Sequence, residues 1–231
     1  MMRRIGLLGG TFDPIHYGHL DAAAAARQAL ALDELRLLPA HDPPHRQIGP
    51  RATAFHRFAM VALAINDLDG YSASDAELRR DGPSYTIDTL RSVHREGWQP
   101  SQIFFILGSD AFAEIATWHA FPDVLDAAHF VVIARPGMRL DAAASRVPAL
   151  AARVRRAVDV GAKTHEKTAI ILVEARTRDV SSTEVRARIA ADGPLDDLVP
   201  PAVARHVRAH HLYEAVNELH GQDTGRKQQS V

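Results

Sequence analysis

Gly9-Gly10-Thr11-Phe12-Asp13-Pro14-Ile15-His16-Tyr17-Gly18-His19 follows the apolar run Ile5-Gly6-Leu7-Leu8 and leads into an alanine-rich segment, residues 20–32. The order reads as a strand, a glycine turn and a helix start with two histidines three residues apart. Such an arrangement suits a polyphosphate. Glycines let backbone N–H groups approach an anion, and a helix N-terminus offers unpaired donors with a partial positive charge. At spacing i, i+3, His16 and His19 can point the same way once the helix has begun. The stretch lacks the Lys-Ser/Thr of a Walker A loop and is not the Gly-x-Gly-x-x-Gly dinucleotide fingerprint.

Outward from this stretch, apolar runs bounded by turn residues read as buried strands over 5–8, 35–38, 103–107, 130–134 and 169–173. Helical patterns lie over 20–32, 53–66, 86–95, 121–127, 150–158, 183–190 and 202–210, and residues 71–79 read as a further extended piece. Strands alternating with helices predict an α/β fold with a Rossmann-like, doubly wound parallel sheet covered on both faces. Residues 1–220 are expected to form a single domain with a helical C-terminal part. Residues 221–231, polar and glycine-containing, read as a disordered tail. Ligands of such sheets bind beyond the carboxyl ends of the strands, where each motif below is placed.

The chain has no cysteine, which excludes disulfides, thiolate metal sites and a cysteine nucleophile. Lys+Arg 27 against Asp+Glu 28 leaves a formal charge of −1, an even balance that argues against a general nucleic-acid binder. The N-terminus lacks the apolar region of a signal peptide, and no apolar run reaches the ~18 residues of a membrane span. A soluble cytoplasmic protein without a membrane partner is expected; a homo-oligomer is left open. Of the 13 histidines most are scattered, and only those inside motifs enter the reading.

Four further segments carry polar groups suited to phosphate or ring recognition. Val180-Ser181-Ser182-Thr183-Glu184-Val185-Arg186 sets hydroxyls and a guanidinium at a helix start; Ser181 with Glu184 is also a plain capping box, and both roles use the same helix end. Pro39-Ala40-His41-Asp42-Pro43-Pro44-His45-Arg46 is a proline-stiffened loop that presents a cationic pair. Gly82-Pro83-Ser84-Tyr85-Thr86-Ile87-Asp88 runs from a proline turn into a helix, with Ser84 or Thr86 as the candidate cap. Gly108-Ser109-Asp110 follows a strand and precedes Thr117-Trp118-His119, which joins a carboxylate for ribose hydroxyls to a ring for stacking.

Residues 9–19 resemble the signature of the nucleotidyltransferase superfamily with a "HIGH"-type His-x-Gly-His, and in particular the Gly-Gly-Thr-Phe-Asp-Pro-x-His-x-Gly-His of bacterial nicotinate-mononucleotide adenylyltransferases. Residues 181–186 resemble the second family signature, Ser-Ser-Thr-x-Ile/Val-Arg. The Pro-Pro-His-Arg loop, Ser84-Tyr85-Thr86, Gly-x-Asp, Thr117-Trp118 and Arg135-Pro136-Gly137 also match, in order, across residues 5–213. Only the first motif is highly specific by itself. Ala40 departs from the family, which often has a polar residue there.

The resemblance implies a nucleotidyltransferase-type sheet and transfer of AMP from ATP, with Mg²⁺ carried on its phosphates, to nicotinate mononucleotide, giving deamido-NAD and pyrophosphate. It assigns phosphate contacts in catalysis to His16, His19 and Arg186. ATP would meet Gly9, Gly10, Thr11, Phe12, Gly108, Asp110, Ser181, Ser182 and Thr183. The mononucleotide would meet His45, Arg46, Tyr85, Thr86, Trp118 and Arg135, with Trp118 stacked on the ring. No dedicated protein metal site is expected. The alternatives are the same chemistry on nicotinamide mononucleotide or phosphopantetheine, or a nucleotide-binding regulator without turnover.

Overall fold

The computed structural model describes residues 3–43, 49–134, 148–160 and 167–214. In chain order the elements are β1 (Ile5–Gly10), α1 (Tyr17–Leu30), β2 (Glu34–Pro39), α2 (Ala54–Ile65), β3 (Tyr71–Ala73), α3 (Thr86–Arg95), β4 (Ile103–Gly108), α4 (Ser109–Ala113) and β5 (His129–Ala134). There follow β6 (Val154–Arg156), α5 (Ala157–Val160), β7 (Ile170–Glu174), α6 (Ser182–Ala190) and α7 (Pro201–Ala209). The seven strands form one sheet in the order β3-β2-β1-β4-β5-β7-β6, and every described pairing is parallel. Rossmann-like doubly wound topology was the expectation, and this is it.

Strand periodicity builds two cores. On β4, Phe104 and Ile106 enter one cluster while Ile103, Phe105 and Leu107 enter the other. Strands β5 and β7 alternate the same way: Val131 and Ile171 face one side, Phe130 and Ile170 the other. The first side is covered by α1 through Ala23, Ala26 and Leu30, by α2 through Met60 and Val61, and by α7 through Val203 and Val207. The second is covered by α3 through Ile87, Leu90 and Val93. Each such fully buried large side chain contributes about 1.5–3 kcal/mol, which explains why these strands read as continuous apolar runs.

Three expectations are corrected. Residues 150–158 were expected to be helical; instead 148–153 are 3-10 and Val154–Arg156 is an edge strand paired with β7. Alanines supplied helix propensity there, but sheet pairing overrides it, and Arg155 and Arg156 suit an exposed edge. Residues 121–127 form a 3-10 turn, Asp123–Asp126, too short for an α-helix. Of the extended piece over 71–79 only Tyr71–Ala73 pairs, at the other edge. The tail over 221–231 lies outside the described residues. Among the described residues, no helix is long and apolar enough to cross a membrane.

The sheet fixes where a site can lie. From β1 the chain crosses one way to β2, and β4 pairs on the other side of β1. Their carboxyl ends, Gly10 and Gly108, therefore flank the switch point where such sheets bind ligands.

Candidate active site

A cleft of about 870 Å³ opens at that switch point. Gly9, Gly10 and Thr11 line it from the end of β1 and the residue after it, Gly108 and Asp110 from the junction of β4 and α4, and Ser181, Ser182 and Thr183 from the start of α6. His16 and His19 complete that side, and Ser84, Thr86 and Trp118 line the cleft as well.

The first motif is built differently from a simple glycine turn. Gly9 and Gly10 are the last residues of β1, paired with Leu38 and Pro39 of β2. The positive φ falls on Phe12, at 47°. A Cβ on Gly9 would lie 3.3 Å from the Phe105 ring, and one on Gly10 would lie 3.1 Å from the Phe12 ring. Close approach, rather than unusual dihedrals, is thus what selects glycine here. Phe12 itself is 1% exposed, with its ring edge-on to His19 at 5.0 Å between centroids. It does not line the cleft as expected; it wedges His19 from behind.

His16 is the N-cap residue of α1 and His19 lies in its first turn. Their rings stack at 3.7 Å between centroids. The backbone N–H of His16 donates to His19 Nδ1 at 3.3 Å, which puts the proton of a neutral His19 ring on Nε2. Burial pushes the His16 pKa down to about 4, against a smaller opposing pull from Asp21. Nδ1 of His16 is buried without a hydrogen-bond partner. His16 is therefore a neutral imidazole near pH 7, able to donate one N–H without repelling its neighbour.

The second motif docks on the first across most of the chain. Ser182 donates to the carbonyl of Pro14 at 2.9 Å. Arg186 donates through Nη1 to the carbonyl of Asp13 at 2.7 Å and through Nη2 to Thr183 Oγ1 at 3.1 Å. Ser181 Oγ accepts from the backbone N–H of Glu184 at 3.1 Å, the cap read from the sequence. Ser181 and Thr183 accept in these bonds and keep their O–H protons for a ligand, whereas Ser182 gives its proton to Pro14. Arg186 does not line the cleft directly: its fork braces the junction of the two motifs from the side.

On the acceptor side the helix cap is Tyr85, not Ser84 or Thr86. Ser84 Oγ instead accepts from the backbone N–H of His41 at 2.9 Å, tying the two loops together. Tyr85 stacks on His119 at 4.3 Å between centroids and supports the cleft without lining it. Trp118 meets Phe105 and Phe130 edge-on at 6.1 and 6.3 Å, so its indole is braced by core rings beside the cleft. His45, Arg46 and Arg135 lie outside the described residues.

Several groups at the site had not been read from the sequence. Arg178 lines the cleft just before the second motif; its guanidinium carbon lies 3.9 Å from the Tyr17 ring centroid, and its backbone N–H donates to Asp21 at 2.9 Å. Glu77 also lines the cleft, is 6% exposed and accepts from Thr89 at 2.7 Å. Burial raises its pKa, while hydrogen bonds from Thr89 and Ser84 and the charge of Arg80 oppose the rise. Beneath the first motif Asp13, 2% exposed, accepts from the backbone of Arg51 and Ala52 and from the Tyr213 hydroxyl. Buried Arg57 donates to the carbonyl of Thr11 at 2.8 Å. An Arg-x-x-x stretch on a helix carries no sequence signal for such a buried role; only tertiary packing reveals it.

Chemically, the cleft joins two imidazoles, hydroxyl donors, two helix N-termini and an indole. That suits a polyphosphate joined to one planar ring and placed beside a second. Residues 7–188 match the family described as cytidylyltransferase-like. A Pseudomonas aeruginosa protein named "Probable nicotinate-nucleotide adenylyltransferase" is 43% identical over 215 residues, covering 93% of this chain and 99% of its own. A Shewanella baltica protein of the same name is 40% identical over 218 residues, with 91% and 99% covered. Among solved structures, the Plasmodium falciparum nicotinic acid mononucleotide adenylyltransferase complexed with NaAD superposes with a TM-score of 0.68 over 92% of this chain and 98% of that one, at 18% identity. At that identity the likeness speaks for the fold.

Proposed function

This chain belongs to the cytidylyltransferase-like family, and from that premise we propose that it is a nicotinate-nucleotide adenylyltransferase of NAD biosynthesis. It joins AMP from ATP to nicotinate mononucleotide and releases pyrophosphate. The observation that carries the reading is the docking of two phosphate-binding motifs: Ser182 and Arg186 bond to the carbonyls of Pro14 and Asp13 beside the stacked His16–His19 pair.

A phosphate oxygen of the mononucleotide attacks the α-phosphorus of ATP in line. The new O–P bond forms as the bond to the bridging oxygen of the β-phosphate breaks, and the electron pair leaves with pyrophosphate. The attacking phosphate is ionised near neutral pH, so no general base is needed. The protein's work is positioning and charge stabilisation. In this reading His16 and His19 donate to oxygens that gain charge, and Ser181 and Thr183 donate from the start of α6. Arg186 adds positive charge from behind Thr183 while it holds the two motifs in register. The backbone of Gly9, Gly10 and Thr11 takes the adenosine side, Gly108 leaves room for it, and Asp110 accepts a ribose hydroxyl. Trp118 stacks on the pyridine and Thr86 borders its carboxylate, while His45, Arg46 and Arg135 are proposed for the acceptor phosphate. Mg²⁺ travels with ATP, taking phosphate oxygens and water. A cytoplasmic location is proposed with this reading, since both substrates are charged nucleotides.

The test is a mass-spectrometric product assay with ATP, Mg²⁺ and a panel of acceptors: nicotinate mononucleotide, nicotinamide mononucleotide and phosphopantetheine. Deamido-NAD and pyrophosphate in equal amounts, with the highest kcat/KM for the acid, are expected. Preference for the amide would reassign the acceptor, and no turnover on any would leave a binding protein.

A further inference from the structure

Away from the cleft, α2 and α7 bring three imidazoles together. His56 stands in the first turn of α2, while His206 and His210 lie one turn apart at the end of α7. Both helices bury apolar faces in the same cluster, Met60 and Val61 on one and Val203 and Val207 on the other, so core packing fixes their approach. His56 Nδ1 lies 3.1 Å from His206 Nε2. The three ring pairs have centroids 4.4, 4.9 and 5.3 Å apart. One ring nitrogen from each residue lies within 4.8 Å of the others.

Burial, followed by the neighbouring His210 and His56, pushes the His206 pKa below the usual histidine range. A neutral imidazole presents a lone pair, the form a metal ion binds. The adenylyl transfer proposed above uses none of the three.

We infer that His56, His206 and His210 form a binding site for a borderline divalent transition metal of the zinc class, held by three imidazoles with water in the remaining position. Imidazole suits such ions better than it suits Mg²⁺ or Ca²⁺. With Zn–N at about 2.0–2.1 Å, tetrahedral ligand nitrogens stand about 3.3 Å apart. The His56–His206 spacing of 3.1 Å is already close to that value, and the exposed His210 closes the third side by side-chain rotation. The ion ties α2 to the end of α7. Three residues further on, Tyr213 bonds to Asp13 beneath the first motif, so the tie steadies the segment that supports the cleft.

The experiment uses the full chain without an affinity tag, titrated with Co²⁺ and then Zn²⁺. One Co²⁺ per chain is expected, with the intense visible absorption of tetrahedral coordination, displaced by Zn²⁺. Zn²⁺ should raise Tm, and EDTA should reverse the rise. His210→Ala and His206→Gln should each weaken Co²⁺ binding about 100-fold, at least matching the loss of an outer-shell partner, and abolish the Tm rise. Adenylyl transfer with Mg²⁺ should persist in both. If His206→Gln does not fold, the surface variant His210→Ala decides. Absence of stoichiometric binding, or full binding in His210→Ala, overturns the site.

Discussion

The phenol of Tyr213 donates a 2.8 Å hydrogen bond to Oδ1 of Asp13 across 200 residues of chain. Burial, then the adjacent carboxylate, raises the Tyr213 pKa far above the ordinary phenol range, so the group remains a donor at any working pH. Asp13 in turn holds the backbone N–H groups of Arg51 and Ala52. A carboxylate inside the first motif therefore gathers the loop before α2 and the segment after α7. Tyr213→Phe removes one charge-assisted bond without opening a cavity. It should cost about 1.5–3 kcal/mol of stability. That corresponds to a drop in Tm of roughly 3–12 °C for a chain of this size, read by calorimetry. A Tm equal to wild type would mean that the bond contributes nothing in solution.

Arg186 offers a second test, because its two bonds diverge to Asp13 O and Thr183 Oγ1. Lysine keeps the charge but satisfies only one partner at a time. Arg186→Lys should lower kcat/KM for ATP by about tenfold or more, equivalent to ~1.4 kcal/mol of transition-state stabilisation. Steady-state kinetics with ATP varied would measure it. Wild-type kinetics would mean that charge alone suffices and the fork is dispensable.

His16 predicts a pH dependence. Its folded pKa, about 4, lies below the ordinary value of 6.5. Between those values the unfolded chain binds the proton and the folded chain does not, so stability rises with pH across that window. The contribution is fully present above pH 6.5 and is lost as the pH falls towards 4, about 3 kcal/mol in all. His16→Gln cannot titrate. The stability of wild type relative to that variant should therefore decline by about 2–3 kcal/mol from pH 7.5 to 4.5 in urea melts. A pH-independent difference would show that His16 is not held neutral.

Much of the sheet was legible because buried parallel strands are apolar on both faces, as Phe104-Phe105-Ile106-Leu107 illustrates. The edge strands were not: Val154–Arg156 carries two arginines after an alanine stretch, and Tyr71–Ala73 is three residues long. The histidine pair and the Ser181 cap were legible because their chemistry is local to one turn, whereas the cap of α3 falls on Tyr85, between the two hydroxyls that the sequence offered. Arg178, Glu77, Arg57 and the Asp13–Tyr213 bond were not, because their roles depend on distant partners. His206 and His210 show helical spacing, yet nothing in sequence order brings His56 to them. Phe12 was read as a ligand contact because it sits in the motif; its burial shows that a motif residue can serve by wedging its neighbour.

Gly18, in the first turn of α1, lies against the backbone of Arg178, just before the second motif. A Cβ there would stand 3.1 Å from His16 Nδ1 and 3.2 Å from the carbonyl oxygen of Arg178. Neither neighbour yields easily: the His16 ring is buried and stacked on His19, and the carbonyl belongs to the backbone. Alanine favours a helix over glycine by about 0.8–1 kcal/mol, which offsets part of the clash. Gly18→Ala should therefore leave Tm within a few degrees of wild type while it displaces the first turn of α1 by a few tenths of an ångström. Since a misplacement of ~1 Å can cost about 10²-fold in rate, a fall in kcat of about tenfold is expected. Parallel measurement of Tm and kcat separates the outcomes. Loss of Tm in proportion to kcat would mean that the glycine serves folding alone, and an unchanged kcat would mean that the imidazoles tolerate the displacement.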